Sequence, residues 1–441
     1  MELVKLMKDA GIVGAGGAGF PSYAKLAEGA DTLLVNGAEC EPLLYTDYII
    51  MKNEMSVLLS GIKTVLDNTA ISRAVIAIKA HTAKNLSLVD GEVLIPRVSV
   101  RILPDVYPMG DEISLIYEAL GRLVQPGKLP ITVGVIVNNV ETLYNLGRAV
   151  RFSECVTDKW LTVGGNVPTP KVIKVPLGAS VSDIFAKLGI VVPEGHSVLD
   201  GGPSMGKMIN PSLAVVGKTT KGILILPDST RAIESKRIND RMAVARAETA
   251  CCQCTRCTDM CPRALLGYPL EPHRMVRTAI NAAEVNPMMV LSATLCCGCG
   301  ICESLACSQG ISPRAVINNY KALLAKNKLR FSSNEIFEPK GERDYRKIPS
   351  LKWAQDLGVA KFYRIADFGG ELSDFSRVRI PLNRHIGAPS VPVVKDGQRV
   401  ERGEIIAEAA NGLSVNQHAS VSGIVTLADN EIIIDKVKYD V

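Results

Sequence analysis

The period of the apolar positions changes several times along this chain, and each change predicts a different kind of element. Leu3-Val4-Lys5-Leu6-Met7-Lys8-Asp9-Ala10 has the three- and four-residue spacing of a helix. A glycine-rich stretch follows, and then Thr32-Leu33-Leu34-Val35 and Val133-Gly134-Val135-Ile136-Val137 read as apolar strands. Between residues 156 and 235 the pattern becomes short β-like runs set off by Gly and Pro: Trp160 to Gly165, Lys171 to Pro176 and Lys221 to Pro227, with a helix after Ser182. Helical spacing returns over 263–295, with Met275, Ala279 and Ala282 on one side. Residues 326–375 are charge-rich and, apart from a helix-like Trp353 to Lys361, read as a linker. From Val378 the pattern is β again, with Asp396-Gly397 and Asn411-Gly412 at hairpin positions. The chain thus divides at 1–155, 156–235, 236–325, 326–375 and 376–441.

A length of 441 residues predicts about three domains at roughly 150 residues each, with room for more if some are small. Fifty basic against 45 acidic residues give a dispersed +5, which excludes a nucleic-acid binder. A hydrophobic content of 47% with 22% charged residues excludes a disordered or fibrous chain. No run approaches the roughly 20 apolar residues of a membrane span, and the first residues lack a signal-peptide core. The expectation is a soluble cytoplasmic protein with no direct membrane insertion.

Cysteine usage sharpens the picture. All of the twelve cysteines except Cys40 and Cys155 lie between Cys251 and Cys307, a crowding that signals metal ligation rather than a disulfide framework. Cys251-x2-Cys254-x2-Cys257-x3-Cys261-Pro262 has the bacterial ferredoxin spacing, and Cys296-x2-Cys299-x2-Cys302-x4-Cys307 repeats it with one extra residue and no proline. In that arrangement three close thiolates hold one cubane and the fourth serves the other. One [4Fe–4S] cluster then takes Cys251, Cys254, Cys257 and Cys307, and the second takes Cys296, Cys299, Cys302 and Cys261. Paired C-x2-C motifs also build zinc sites, but two triple runs, each with a trailing cysteine, are poorly explained that way. Cys252 and Cys297 read as bystanders that could substitute in another register, and Cys307 is the least secure ligand.

Residues 14–21, Gly-Ala-Gly-Gly-Ala-Gly-Phe-Pro, contain a G-x-G-x-x-G string. It follows a helix rather than a strand, so the dinucleotide fingerprint fails on context. Its backbone amides can still approach a phosphate or a flat ring, and Lys25 follows closely. Asn36-Gly37-Ala38-Glu39-Cys40-Glu41-Pro42 ends the first strand, where open α/β sheets place ligands. Tyr107-Pro108-Met109-Gly110-Asp111-Glu112 and Asn138-Asn139-Val140-Glu141-Thr142-Leu143 complete the set. Singly, each string could be a turn or a helix cap. Gly201 to Gly206 resembles a second phosphate loop, but turn chemistry explains it more cheaply.

In this order, these four strings resemble the NADH-oxidising flavin subunit of respiratory complex I and, more closely, the C subunit of the Rnf ferredoxin:NAD oxidoreductases. The resemblance implies FMN over the loop of Gly14, Gly16, Gly17 and Gly19, held by Lys25, Asn36, Asn138, Asn139 and Thr142. Glu39, Glu41, Tyr107, Gly110 and Asp111 would border the nicotinamide of NADH. Ala15 and Ala38 depart from the complex I pattern, and the Rnf-type sequences share the second change. The resemblance further implies a multidomain α/β and α+β architecture. A Rossmann-like flavin domain would be followed by a ubiquitin-like β-grasp domain, a helical two-[4Fe–4S] domain and a C-terminal barrel-sandwich module. That module resembles lipoyl carriers, but Leu413 to Ala419 has no lysine to modify, which favours packing or docking.

The barrel-sandwich module precedes the flavin domain in the Rnf relatives and comes last here. This order resembles the cobalamin reductases of propanediol-utilisation microcompartments. It implies electron delivery from NADH through FMN and [4Fe–4S] clusters to cobalamin, sustaining a diol dehydratase, in a chain inside or attached to the microcompartment. Cobalamin or a cobalamin adenosyltransferase would be the acceptor, with a shell protein as a possible further partner. The D-x-H-x-x-G run of one B12-binding class is absent, and the five histidines are scattered. Two other readings stand beside this one: an Rnf-type NADH:ferredoxin subunit, and a shell-docked electron conduit without its own NADH oxidation.

Overall fold

Three apolar runs buried on both faces, with a fourth, alternating strand beside them, build a parallel sheet with helices on either side. The computed structural model describes residues 2–26, 28–281 and 286–436. After helix α1 (Glu2–Asp9) come β1 (Thr32–Gly37), α2 (Thr46–Asn68), β2 (Arg73–Lys79), α3 (Ala80–Leu86), β3 (Val93–Ile95), β4 (Val98–Leu103), β5 (Val106–Tyr107), α4 (Glu112–Leu120), β6 (Val135–Asn139) and α5 (Val140–Phe152). The sheet order is β3-β4-β2-β1-β6, parallel except at the β3 edge. The β6 strand begins two residues later than its apolar run, because Gly134, at φ +74°, closes a 3-10 turn over Pro130–Val133. Helices α2 and α5 meet backbone to backbone, and a Cβ at Gly61 would lie 1.9 Å from the Leu143 carbonyl oxygen.

The next unit contains β7 (Asp158–Gly165), β8 (Lys171–Pro176), α6 (Val181–Lys187), β9 (His196–Asp200), β10 (Lys207–Ile209) and β11 (Gly222–Pro227). Ser180 caps α6 by accepting from the Asp183 amide. The sheet order is β10-β9-β11-β7-β8, and strand Asp367–Glu371 adds in parallel to β8.

The cysteine-bearing unit is helical but more broken than its spacing predicts. Pro262, Pro272 and Pro287 each start a new helix, giving Pro262–Leu265, Pro272–Ile280 and Pro287–Leu291 in place of one continuous pattern. Met275 is fully buried in this unit, Ala279 is half-buried, and Ala282 lies outside the described residues.

The stretch expected as a linker is not a free tether. Ile348–Pro349 pairs with β5, helix Ser350–Asp356 buries Trp353 completely, and Asp367–Glu371 extends the second sheet. Its anchors are single aromatic and apolar residues spaced too widely to form a sequence period. The C-terminal strands form a four-stranded and a three-stranded sheet rather than a closed barrel. Asp396-Gly397 does not turn a hairpin, since the strands on either side, Val391–Pro392 and Arg399–Val400, belong to different sheets.

Candidate flavin and iron–sulfur sites

Parallel pairing sets Asn36 beside Asn139 at the C-terminal ends of β1 and β6. The glycine loop closes over that edge through Gly14 N–H to the Phe20 carbonyl at 2.8 Å and Ala15 N–H to Thr142 Oγ1 at 3.0 Å. A Cβ at Gly16 would lie 2.9 Å from the Asn139 side chain, whereas Gly17 faces open space. Lys25 Nζ donates to the Val137 carbonyl at 2.9 Å and pairs with Glu112 at 3.1 Å. Asn36 donates to the Gly110 carbonyl at 3.1 Å. Asn139 caps α5, and Asp111 caps α4. Asn138 Nδ2 is buried without a partner, a state that costs about 1–3 kcal/mol unless a ligand accepts its hydrogen bond. An open glycine loop, a lysine and an unspent amide at one sheet edge fit a flat cofactor carrying a phosphate.

The acidic residues are held differently. Glu39 accepts from the Thr46 and Asp47 amides at 3.0 and 3.2 Å, and burial, reinforced by the Asp47 charge, pushes its carboxyl up to about 7. Glu41 accepts from the Ser204 and Met205 amides, both at 2.9 Å. The Gly201–Gly206 loop is therefore an anion cradle whose anion is Glu41. Burial raises the Glu41 carboxyl, while those amides and Lys236 oppose the shift. Tyr107 and Asp111 are engaged by the remainder of the chain. The Tyr107 ring stacks on Trp353 at 4.7 Å, and its hydroxyl donates to the Cys299 carbonyl at 2.7 Å. Asp111 pairs with Arg263 at 2.6 Å.

Motif reading gave Glu141 no role within its string and missed Asp47, Lys159 and Lys221, all four buried or nearly so beneath the loop. The one signal available was a lysine set inside or at the head of an apolar strand, as in Asp158-Lys159-Trp160-Leu161 and Lys221-Gly222-Ile223.

The cysteines separate into two groups. Cys251, Cys254, Cys257 and Cys307 line one cavity with His273, and the charges of the other three bear on Cys257. Cys261, Cys296, Cys299 and Cys302 line another with Arg263 and Arg314. The trailing cysteine of each run thus stands among the three close cysteines of the other run. The extra residue before Cys307 is taken up by a π-helical turn over Cys302–Ala306, whereas Pro262 starts an ordinary helix after Cys261. All of these thiols are free. Among the described residues no three His, Cys, Asp or Glu side chains converge on a single-ion site; the two sulfur groups are instead spread around cavities. Cys252 is exposed but also lines the first cavity, and Cys297 lines the second. Lys321 donates to the Cys296 carbonyl at 3.0 Å, and the Arg263–Asp111 and Arg314–Glu303 ion pairs flank this second group.

The C-terminal module fastens to the base of the glycine loop. Asn416 N–H donates to the Lys8 carbonyl at 3.2 Å, Tyr23 Oη donates to the Ser414 carbonyl at 3.0 Å, and Ile386 N–H donates to the Gly19 carbonyl at 3.1 Å. Lys218 Nζ joins Gly11 to Asn416 by donating to both carbonyls, at 2.9 and 3.1 Å.

Comparison with known proteins gives three domain matches: a Nuo51 FMN-binding domain over residues 7–148, a 4Fe-4S dicluster domain over 250–312, and an RnfC barrel sandwich hybrid domain over 370–438. The cobalamin reductase PduS of Citrobacter freundii is 38% identical over 95% of this chain and 93% of its own length. The PduS of Salmonella typhimurium is 37% identical over 98% of this chain and 96% of its own. The C subunit of the ion-translocating oxidoreductase complex of Rhodobacter capsulatus is 32% identical over 65% of this chain and 54% of its own length.

Proposed function

The chain belongs to the family of the cobalamin reductases PduS, and from that membership we propose that it is an NADH-dependent flavo-iron–sulfur reductase acting on cobalamin. The observation that carries this reading is the meeting of an FMN-binding domain with a dicluster domain through Tyr107–Cys299 and Asp111–Arg263. FMN when bound supplies hydride acceptance from NADH and release of single electrons, which two [4Fe–4S] clusters store one at a time.

The protein residues position and tune. In this reading Gly14, Gly16, Gly17 and Gly19 admit the flavin closely, Lys25 offsets phosphate charge, and Asn36, Asn138, Asn139 and Thr142 hold the rest. Glu39 and Gly110 lie on the nicotinamide side. Glu41 orders the Gly201–Gly206 loop, and Tyr107 and Asp111 couple the flavin domain to the cysteine unit. Cys251, Cys254, Cys257 and Cys307 hold one cluster, and Cys296, Cys299, Cys302 and Cys261 the other. We read residues 156–235 as a β-grasp domain, with α6 packed on a mixed sheet in support. The activity would sustain an adenosylcobalamin-dependent diol dehydratase in a microcompartment, with an adenosyltransferase and a shell protein as partners. Among the described residues no helix is long and apolar enough to cross a membrane.

The test is anaerobic: add NADH to the reconstituted protein, follow flavin absorbance and cluster EPR, and then add cob(III)alamin. Flavin bleaching, cluster signals and reduced cobalt are expected. Bleaching without cobalt reduction would leave the flavin reading in place and move the acceptor to another molecule, as in an Rnf-type subunit. No bleaching would favour the conduit.

A further inference from the structure

The lysines beneath the glycine loop come from the second unit of the chain, not from the domain that carries the flavin motifs. Lys221 Nζ pairs with Asp47, stands 3.5 Å from Glu141 Oε2, and reaches Asn139 Oδ1 at 3.4 Å. Asn139 in turn donates to Asp47 Oδ2 at 2.8 Å and to the Asn36 carbonyl at 3.3 Å, and its side chain forms the floor under Gly16. Lys159 pairs with Glu141, while its Nζ lies 3.5 Å from the Ala15 carbonyl inside the loop. Glu141 lies in the first turn of α5, the helix that also presents Thr142 to the Ala15 amide. Both cations therefore act on groups lying directly under the loop. Each lysine compensates a buried carboxylate, alongside the Trp160 amide on Glu141 at 3.2 Å and the Asn139 amide on Asp47.

We propose that Lys159 and Lys221 are positioning residues of the flavin site, completing it across the domain boundary by fixing the Asn139 amide and the Ala15–Gly16 backbone. Lys221 joins the Glu141 amide in orienting Asn139: Oδ1 accepts from that amide at 3.0 Å and from Lys221 at 3.4 Å, while Nδ2 donates to Asp47. Lys159 holds the start of α5 against the loop. The flavin site is then incomplete in a fragment that ends with the FMN-binding domain. This inference rests on the FMN reading above.

The test is an FMN titration of the apo full-length chain, read by quenching of flavin fluorescence and by the visible circular dichroism of bound flavin. Lys221→Met is expected to weaken FMN binding roughly tenfold, on the scale at which supporting residues act on ligands, and to change the dichroism. Lys221→Arg is expected to recover most of both. The variant could instead fail to fold around an unpaired Asp47, so the double variant Lys221→Met/Asp47→Asn is measured beside it. Affinity that stays low in the folded double variant supports positioning. Wild-type affinity and dichroism in the double variant would overturn it, since the lysine would then only balance Asp47. For Lys159 the corresponding pair is Lys159→Met/Glu141→Gln, with the same two outcomes. A folded Lys221→Met with unchanged affinity and spectrum would also overturn the inference while leaving the FMN reading intact. A wild-type chain that takes up no FMN would overturn both.

Discussion

At the scale of residues, the cysteines and the unpartnered asparagine make the sharpest claims. Cys257 stands within the first sulfur group, where the charges of Cys251, Cys254 and Cys307 bear on it, whereas Cys252 lines the same cavity without being among them. Cys257→Ser should therefore lower the iron content by about half and leave the second cluster's EPR signal, while Cys252→Ser should leave iron content unchanged. Equal loss in both variants would refute the ligand assignment. Asn138→Ala should weaken FMN binding by about 1 kcal/mol, roughly fivefold, since one buried amide donor loses its acceptor; titration of the apo chain reads this directly. The cysteine pattern was legible because ligand spacing is local and rigid. Lys159 and Lys221 were not, because a buried lysine is explained by its partners: Asp47 lies 174 residues from Lys221, and Glu141 sits across the domain boundary from Lys159.

Elements show where local pattern yields to packing. The α2–α5 contact depends on Gly61 and Gly147, whose hypothetical Cβ atoms would fall 1.9 and 2.0 Å from opposing carbonyl oxygens. Gly61→Ala must push these helices apart and should cost about 1–3 kcal/mol or more, measured as a shift in the urea midpoint at unchanged slope. Residues 326–375 look unstructured by composition, yet Trp353 is fully buried, stacks on Tyr107 and donates from Nε1 to Ser204 Oγ at 2.8 Å. Trp353→Ala should cost about 3–5 kcal/mol and release the strap, seen as new proteolytic cleavage near residue 350. A variant that unfolds and resists cleavage like the wild-type chain would show the strap to be dispensable. Three prolines explain why one helical period became three short helices: each removes a donor and resets the start.

For the whole molecule, the junction of three units at Lys218 makes docking pH-dependent. Burial lowers Lys218 from 10.5 to about 7, and burial together with the Lys218 charge lowers His418 from 6.5 to about 3. His385 is lowered for the same two reasons, and Cys155 also faces the lysine. Each base has a folded pKa below its unfolded one. Their contributions are fully present above the unfolded values and are lost as pH falls, through about 7 for Lys218 and about 3 for His418. Glu39, raised to about 7, has the opposite sign but sits away from this junction. Hydrogen exchange at residues 413–419, corrected for the intrinsic rate, should therefore be faster at about pH 5 than at about pH 8. The difference should shrink in His418→Gln. Equal protection at both values would remove the junction as a source of pH dependence.

The cysteine groups and the glycine loop are written in the amino-acid order alone, resting on ligand spacing and strand period within a few tens of residues. The identity and order of the modules come from the resemblance of four motif strings to a known family. Folding in three dimensions is what makes Glu41 fill the Gly201–Gly206 cradle, turns Tyr107 and Asp111 toward the cysteine unit, and brings two lysines from the second unit beneath the glycine loop. These are contacts between side chains far apart in the chain, made where burial forces each charge or donor to find a partner. That requirement is physical, but only the fold says which partner is within reach.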